Sequence, residues 1–122
     1  IDDDTRAELY EISVSNNTVV STTVVGALGD HPSLMKQQGG NLLVSNAGDV
    51  YQLSTSSPVW PSTPFISDVS VYGMGIAPNG DIYLGNANSF QTTGTISIYN
   101  SNGELQSETS SLGVGPNGFF WK

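Results

Sequence analysis

Gly80-Asp81-Ile82-Tyr83-Leu84-Gly85-Asn86-Ala87 restates Gly40-Asn41-Leu42-Leu43-Val44-Ser45-Asn46-Ala47 at an offset of 40 residues. A third, shortened copy, Gly118-Phe119-Phe120-Trp121, follows at an offset of 38. A second motif recurs as Leu9-Tyr10-Glu11-Ile12, Val50-Tyr51-Gln52-Leu53 and Ile96-Ser97-Ile98-Tyr99. Self-similarity near forty residues with about four strands per period is the signature of β-propeller blades. Paired-helix arrays of that period require helices. Here no window repeats apolar residues at i, i+3, i+4 and i+7 behind a capping residue. The alternative all-β architecture is an ordinary sandwich.

Working outward from the repeat, short β-rich runs alternate with Gly/Asn/Ser/Pro clusters every eight to twelve residues or so. The expected strands are Leu9 to Val14, Val19 to Val25, Leu34 to Lys36, Leu42 to Ser45, Val50 to Ser54 and Phe65 to Ser67. Gly73 to Ala77, Ile82 to Gly85, Thr95 to Tyr99, Leu105 to Thr109 and Phe119 to Trp121 follow. Gln38-Gly39-Gly40, Pro78-Asn79-Gly80 and Pro116-Asn117-Gly118 read as tight turns, because Gly and Asn accept the positive φ angles of hairpins. The pattern predicts a single all-β propeller segment of about three four-stranded blade-equivalents. Residues 1–30 supply strands C and D of blade one, 31–70 form blade two, and 71–111 form blade three. Residues 112–122 supply strands A and B of a composite or next blade. Three blades fall below the roughly four to eight that usually close a ring. The expected partner is therefore another copy of the chain or the remaining blades of a longer propeller.

Composition narrows the function classes. Eleven Asp and Glu against three Lys and Arg give a net charge of −8. Arg6, Lys36 and Lys122 are too few to neutralise a phosphate backbone, which argues against nucleic acid. No apolar run is long enough for a membrane-spanning helix, so no membrane insertion is expected. Absence of cysteine removes disulfides, thiolate nucleophiles and Cys-ligated metals. Few lysines among many Ser, Thr and Asn, and an opening Ile1 rather than Met, suggest an exported chain, processed or cut from a longer one. Extracellular, periplasmic or cell-surface placement is the expectation.

Three segments carry a family resemblance: Gly75-Ile76-Ala77-Pro78-Asn79-Gly80-Asp81-Ile82-Tyr83-Leu84, Thr95-Ile96-Ser97-Ile98-Tyr99, and Gly113-Val114-Gly115-Pro116-Asn117-Gly118-Phe119-Phe120-Trp121. They resemble YVTN/NHL-like β-propellers, and are most similar to secreted or surface bacterial YncE-like propeller proteins. The likeness is good over blade three and the C-terminal segment, fair over blade two and weak before it. It implies a larger closed ring and a binding or surface role, and it brings no shared catalytic motif. This chain departs from the pattern in lacking several blades.

Few residues point to chemistry. Gly113-Val114-Gly115-Pro116-Asn117-Gly118 spells G-x-G-x-x-G, but a dinucleotide loop needs a following helix and a distant acid, so a hairpin turn is expected. Asp2-Asp3-Asp4 lacks the loop that would complete a calcium cage and reads as a solvated run. Glu8 and Glu11 should point to opposite faces of a strand, whereas Glu104 and Glu108 should share a solvated face of an outer strand. Asn16-Asn17-Thr18 fits the glycan acceptor pattern, making Asn16 a glycosylation candidate.

Ligand-binding candidates lie in the D-to-A connectors and at the ends of strand B. They are Asp30 and His31, Asn46 and Asn86 at equivalent positions, Tyr72, and Phe90 in the one clear insertion, Asn88 to Thr93. The plainer reading makes Asp30 and His31 part of a connector before Pro32, and Asn46 and Asn86 turn residues. Trp60, among Pro58, Pro61 and Pro64, reads as a core or inter-blade residue, with an exposed aromatic contact as the alternative. No catalytic residue, metal ligand or cofactor is assigned. The expectation is a non-enzymatic scaffold or interaction module for a peptide or carbohydrate. The alternatives are a metal-dependent, lactonase-like hydrolase and a fibre-forming subunit.

Overall fold

A computed structural model describes residues 5–111 and 113–122. The acidic run Asp2–Asp4 and Leu112, where the expected C-terminal segment starts, lie outside the described residues. The architecture is all-β, in three antiparallel sheets. Sheet one pairs β1 (Ala7–Ser13) with β2 (Thr18–Val25). Sheet two has the order β3 (Leu34–Gln38), β4 (Asn41–Asn46), β5 (Asp49–Ser54). Sheet three has the order β6 (Gly73–Ile76), β7 (Ile82–Asn86), β8 (Thr95–Tyr99), β9 (Leu105–Ser110).

The turns explain the meanders. Between β4 and β5, Asn46 pairs with Asp49 across Ala47 and Gly48, both at positive φ (51° and 89°), the geometry of a two-residue type I′ hairpin. Between β6 and β7, the Asp81 N–H donates to Asn79 Oδ1 at 3.1 Å. Between β8 and β9, Asn100 Oδ1 accepts the N–H groups of Asn102 and Glu104, both at 3.0 Å. These side-chain caps replace backbone partners within the turn and fix each register.

The sheets pack in series, and β4 shows why. Successive strand residues point to opposite faces. Leu43 enters a core with Val50, Ile66, Met74, Ile82 and Leu84, which joins sheet two to sheet three. Its neighbour Val44 enters a different core with Val25 and Leu53, capped by Ala7, Leu9, Tyr51 and Trp60, which joins sheet two to sheet one. The middle sheet is therefore buried on both faces, and β4 runs buried from Leu43 to Asn46. β3 also approaches β6, so the first strands of sheets two and three lie side by side. Gln38 Nε2 reinforces that approach by donating to the Gly80 carbonyl at 2.7 Å. Trp60 sits between sheets as expected, with its ring 4.4 Å from that of Tyr51.

Three expectations need correction. The strand foreseen at Phe65 to Ser67 is a single bridge between Ile66 and Val50. Pro61 and Pro64 have no N–H to donate before it, and Asp68 and Ser70 turn left-handed after it (φ 58° and 45°). The C-terminal copy Phe119 to Trp121 forms no strand, and Pro116-Asn117-Gly118 is consequently no hairpin. Among the described residues it pairs with neither β1 nor β2, so no composite blade forms there. Instead it lies over the second face of sheet three, where Gly73 and Gly75 on β6 meet Gly85 and Tyr83 across the ladder. Bare glycines leave a groove that holds backbone. A Cβ on Gly85 would stand 2.2 Å from the Pro116 carbonyl oxygen, and one on Gly75 would stand 2.5 Å from the Trp121 ring. Tyr83 then packs against Phe119 and Trp121, with ring centroids 5.7 and 5.5 Å away.

The acidic pairs also differ in part. Glu8 and Glu11 have separate partners, the Tyr10 and Ser21 hydroxyls. Glu104 precedes β9 and is held in the turn by Asn100, while Glu108 accepts from Ser97 Oγ at 2.8 Å rather than standing free. A register irregularity between Ile98 and Tyr99 separates the two glutamates.

Candidate functional site

The six ligand-binding candidates separate into two groups. Asp30, His31 and Asn46 lie beside the boundary of sheets one and two. Asp30 Oδ2 accepts from the Ala27 N–H at 2.6 Å and from Asn46 Nδ2 at 2.8 Å. These two bonds, the backbone one first, hold the Asp30 carboxyl below the usual carboxylate range; burial opposes them and the adjacent His31 assists. Asn46 is buried and its Oδ1 has no partner, whereas His31 is exposed. An amide fixed by one hydrogen bond under a connector is a structural clasp. The geometry favours the plainer reading for Asp30 and Asn46.

That clasp has a pH signature. The folded Asp30 pKa is depressed, so its stabilisation is complete above the ordinary Asp pKa and is lost as pH falls through the lower folded value. A carbon-detected NMR titration of the Asp30 carboxyl should give a midpoint below that of an unfolded-chain Asp. Asn46→Ala should move it back upward. An unshifted midpoint in both proteins would remove the clasp from the account.

Tyr72, Asn86 and Phe90 are brought together on sheet three. They line one open cavity of about 390 Å3 with Ser70, Asn88 and Ser89. The Phe90 and Tyr72 rings meet edge-to-face at 5.1 Å, and both are exposed, at 57% and 39%. Edge-to-face contact is a favoured aromatic geometry, so the two rings steady one another despite their exposure. Gly115 passes beside them: a Cβ there would stand 3.0 Å from Tyr72 Cε1 and 3.4 Å from Phe90 Cε1.

The loop that carries Phe90 is unusual. Asn88, Ser89 and Phe90 form a single short turn with three successive positive φ angles, 47°, 55° and 59°. Left-handed backbone costs an L-residue roughly 1–2 kcal/mol and normally occurs one residue at a time. The turn persists because it is wired in place. Asn86 Oδ1 accepts the Asn88 N–H at 2.8 Å, the Ala87 carbonyl accepts the Phe90 N–H at 2.8 Å, and Asn88 Nδ2 donates to the Thr93 carbonyl at 2.8 Å. Asp68 and Ser70, on the facing connector, are left-handed as well. Strained backbone held by its surroundings is concentrated where surfaces bind.

A second cavity, about 220 Å3, adjoins the first and shares Asn86 and Asn88 with it. Its walls add Asp68, Thr95, Ser97, Tyr99 and Glu108. Burial pushes the Tyr99 phenol above its ordinary pKa, and Glu108 adds to the effect. Sequence reasoning missed these residues. The available signal was the polar alternation Thr95, Ser97, Tyr99 opposite Ile96 and Ile98, which places three polar groups on one face of β8.

Asn16 sits in the exposed β1–β2 turn, where its Oδ1 accepts from the Thr18 hydroxyl at 2.8 Å. Among the described residues no three His, Asp or Glu side chains gather where they could hold a metal ion, and no helix is long and apolar enough to cross a membrane. No known protein-family model and no curated protein matches this chain.

Proposed function

We infer that the chain is a β-propeller segment of extracellular, periplasmic or cell-surface origin, acting as a non-enzymatic interaction module. A two-stranded hairpin and two consecutive antiparallel meanders, packed in series with the first strands of sheets two and three adjacent, support the blade reading, as does the forty-residue repeat. Another copy of the chain, or further blades, would cover the free edges of sheet one. That sheet has only two strands, and its residues Tyr10, Ile12, Val20 and Val24 are exposed.

Binding is assigned to the sheet-three face around Tyr72, Asn86 and Phe90. The observation that carries this reading is the exposed, edge-to-face Tyr72–Phe90 pair, mounted on a strained but fully wired loop beside two side-chain amides. Apolar rings kept at the surface by a costly backbone are hard to explain as packing alone. Mixed arrays displaying oligosaccharides and peptides test the assignment. The wild-type chain should retain a defined subset of spots, and Phe90→Ala with Tyr72→Ala should lose that subset while keeping its β-sheet circular dichroism. Equal retention by both proteins, or none by either, would contradict the reading.

A further inference from the structure

We propose that the groove running from the Tyr72–Phe90 pair to Glu108 binds an uncharged saccharide; this rests on the preceding reading of that face as a binding surface. The two cavities meet at Asn86 and Asn88, and the larger falls within the roughly 300–1,000 Å3 typical of small-ligand sites.

Its chemistry is divided along its length. At one end the largest apolar side chains are an aromatic pair, exposed to solvent and joined by Val71 and Ala87 in an open cavity. Such a surface suits the flat C–H face of a sugar ring better than a peptide anchor, which needs a closed apolar socket. At the other end Val69 and Leu84 contribute to the wall, but most of it is hydroxyl, amide and carboxylate groups. Several have no hydrogen-bond partner among the described residues: the Asp68 carboxylate, Asn86 Nδ2 and the Tyr72 hydroxyl. Sugar hydroxyls donate to carboxylates and accept from amides at once, so one ligand type satisfies all of these groups. Glu108 already accepts from a neutral hydroxyl, that of Ser97.

Charge narrows the class further. Asp68 and Glu108 face the groove, none of the three basic residues lines it, and the chain carries −8 overall. Phosphorylated, sulfated and uronic-acid ligands are repelled, and the neutral saccharide remains.

The test is an NMR titration of the whole chain with three neutral probes: a β-glucan, a mannan and a chitin oligosaccharide. A uronic-acid oligosaccharide and a lysine-rich peptide serve as the contrasting arms. At least one neutral oligosaccharide should shift the Asn86 and Asn88 side-chain amide signals and the Phe90 ring signals. Glu108→Gln, which keeps the shape of the wall, should weaken that binding about tenfold, as expected for one hydrogen bond to a charged group. Raising salt to about 0.5 M should change affinity less than twofold, since no ion pair forms. If the lysine-rich peptide shifts these signals and the neutral sugars do not, the saccharide assignment falls while the binding face stands. If nothing shifts them, both fall.

Discussion

Leu43→Ala is expected to lower stability by about 3–4 kcal/mol, near the middle of the range for emptying a fully buried leucine site. Leu43 has no solvent exposure and lies in the core shared by sheets two and three. The strands around it are tied by ladder hydrogen bonds on both sides, so the cavity has little room to collapse. Urea unfolding measures the loss directly, and the melting temperature should fall by roughly 10–15 °C. The neighbouring change Val44→Ala should cost less, about 1–2 kcal/mol, because a smaller side chain is shortened in the other core. The two costs should add to within about 0.5 kcal/mol in the double variant, since the side chains project to opposite faces and enter separate clusters. A coupling above about 1 kcal/mol would mean a single shared core and would undo the serial arrangement.

Gly85→Ala is the second large effect. The new methyl would stand 2.2 Å from the Pro116 carbonyl oxygen and 3.2 Å from its carbonyl carbon, a collision with backbone that no rotamer change relieves. The C-terminal segment must lift, taking Phe119 and Trp121 off Tyr83. Overpacking and lost aromatic contact together should cost about 2–3 kcal/mol. Two readouts separate lifting from general weakening: faster proteolysis within 113–122, and a red shift of Trp121 emission in a Trp60→Phe background. Gly113→Ala is the control, because nothing lies within 4 Å of a Cβ there. Protease resistance equal to wild type in Gly85→Ala would show that the segment does not seat in the glycine groove.

What was legible in the sequence is what local chemistry decides. Pro78-Asn79-Gly80 and Gln38-Gly39-Gly40 mark their turns, and β8 and β6 to β7 fall within a residue or so of their expected bounds. The near-continuous apolar character of Leu42 to Val44 correctly announces a strand packed on both faces. The C-terminal segment was misread because its repeat is genuine while its setting is not local. Gly73, Gly75, Gly85 and Gly94 come from separate strands and a loop, and only strand register gathers them into a groove. Once that groove exists, Pro116 fills it without needing a ladder partner.

The site divides in the same way. Phe90 stands out as an insertion against the repeat, and Tyr72 and Asn86 as residues flanking strands, so position alone marks them as candidates, and the structure brings the three to one cavity. Asp68 and Glu108 were invisible as neighbours. One follows a single-bridge segment that prolines precede and its own left-handed turn ends, and the other reaches the groove only through the pairing of Ser97 with Glu108. Asn46 shared a sequence position with Asn86, but its amide is committed to Asp30. Equivalent positions in a repeat thus carry different duties.

Methyl NOE spectroscopy tests the serial stack most directly, because every placement of the loops depends on it. Contacts from the Leu43 methyls should run to Met74, Ile82 and Leu84, and contacts from the Val44 methyls to Val25, with none from Leu43 to Val25. If Leu43 and Val44 reported the same neighbours, or if one face of the middle sheet met only solvent, the sheets would not be stacked in series and the binding face would be misplaced.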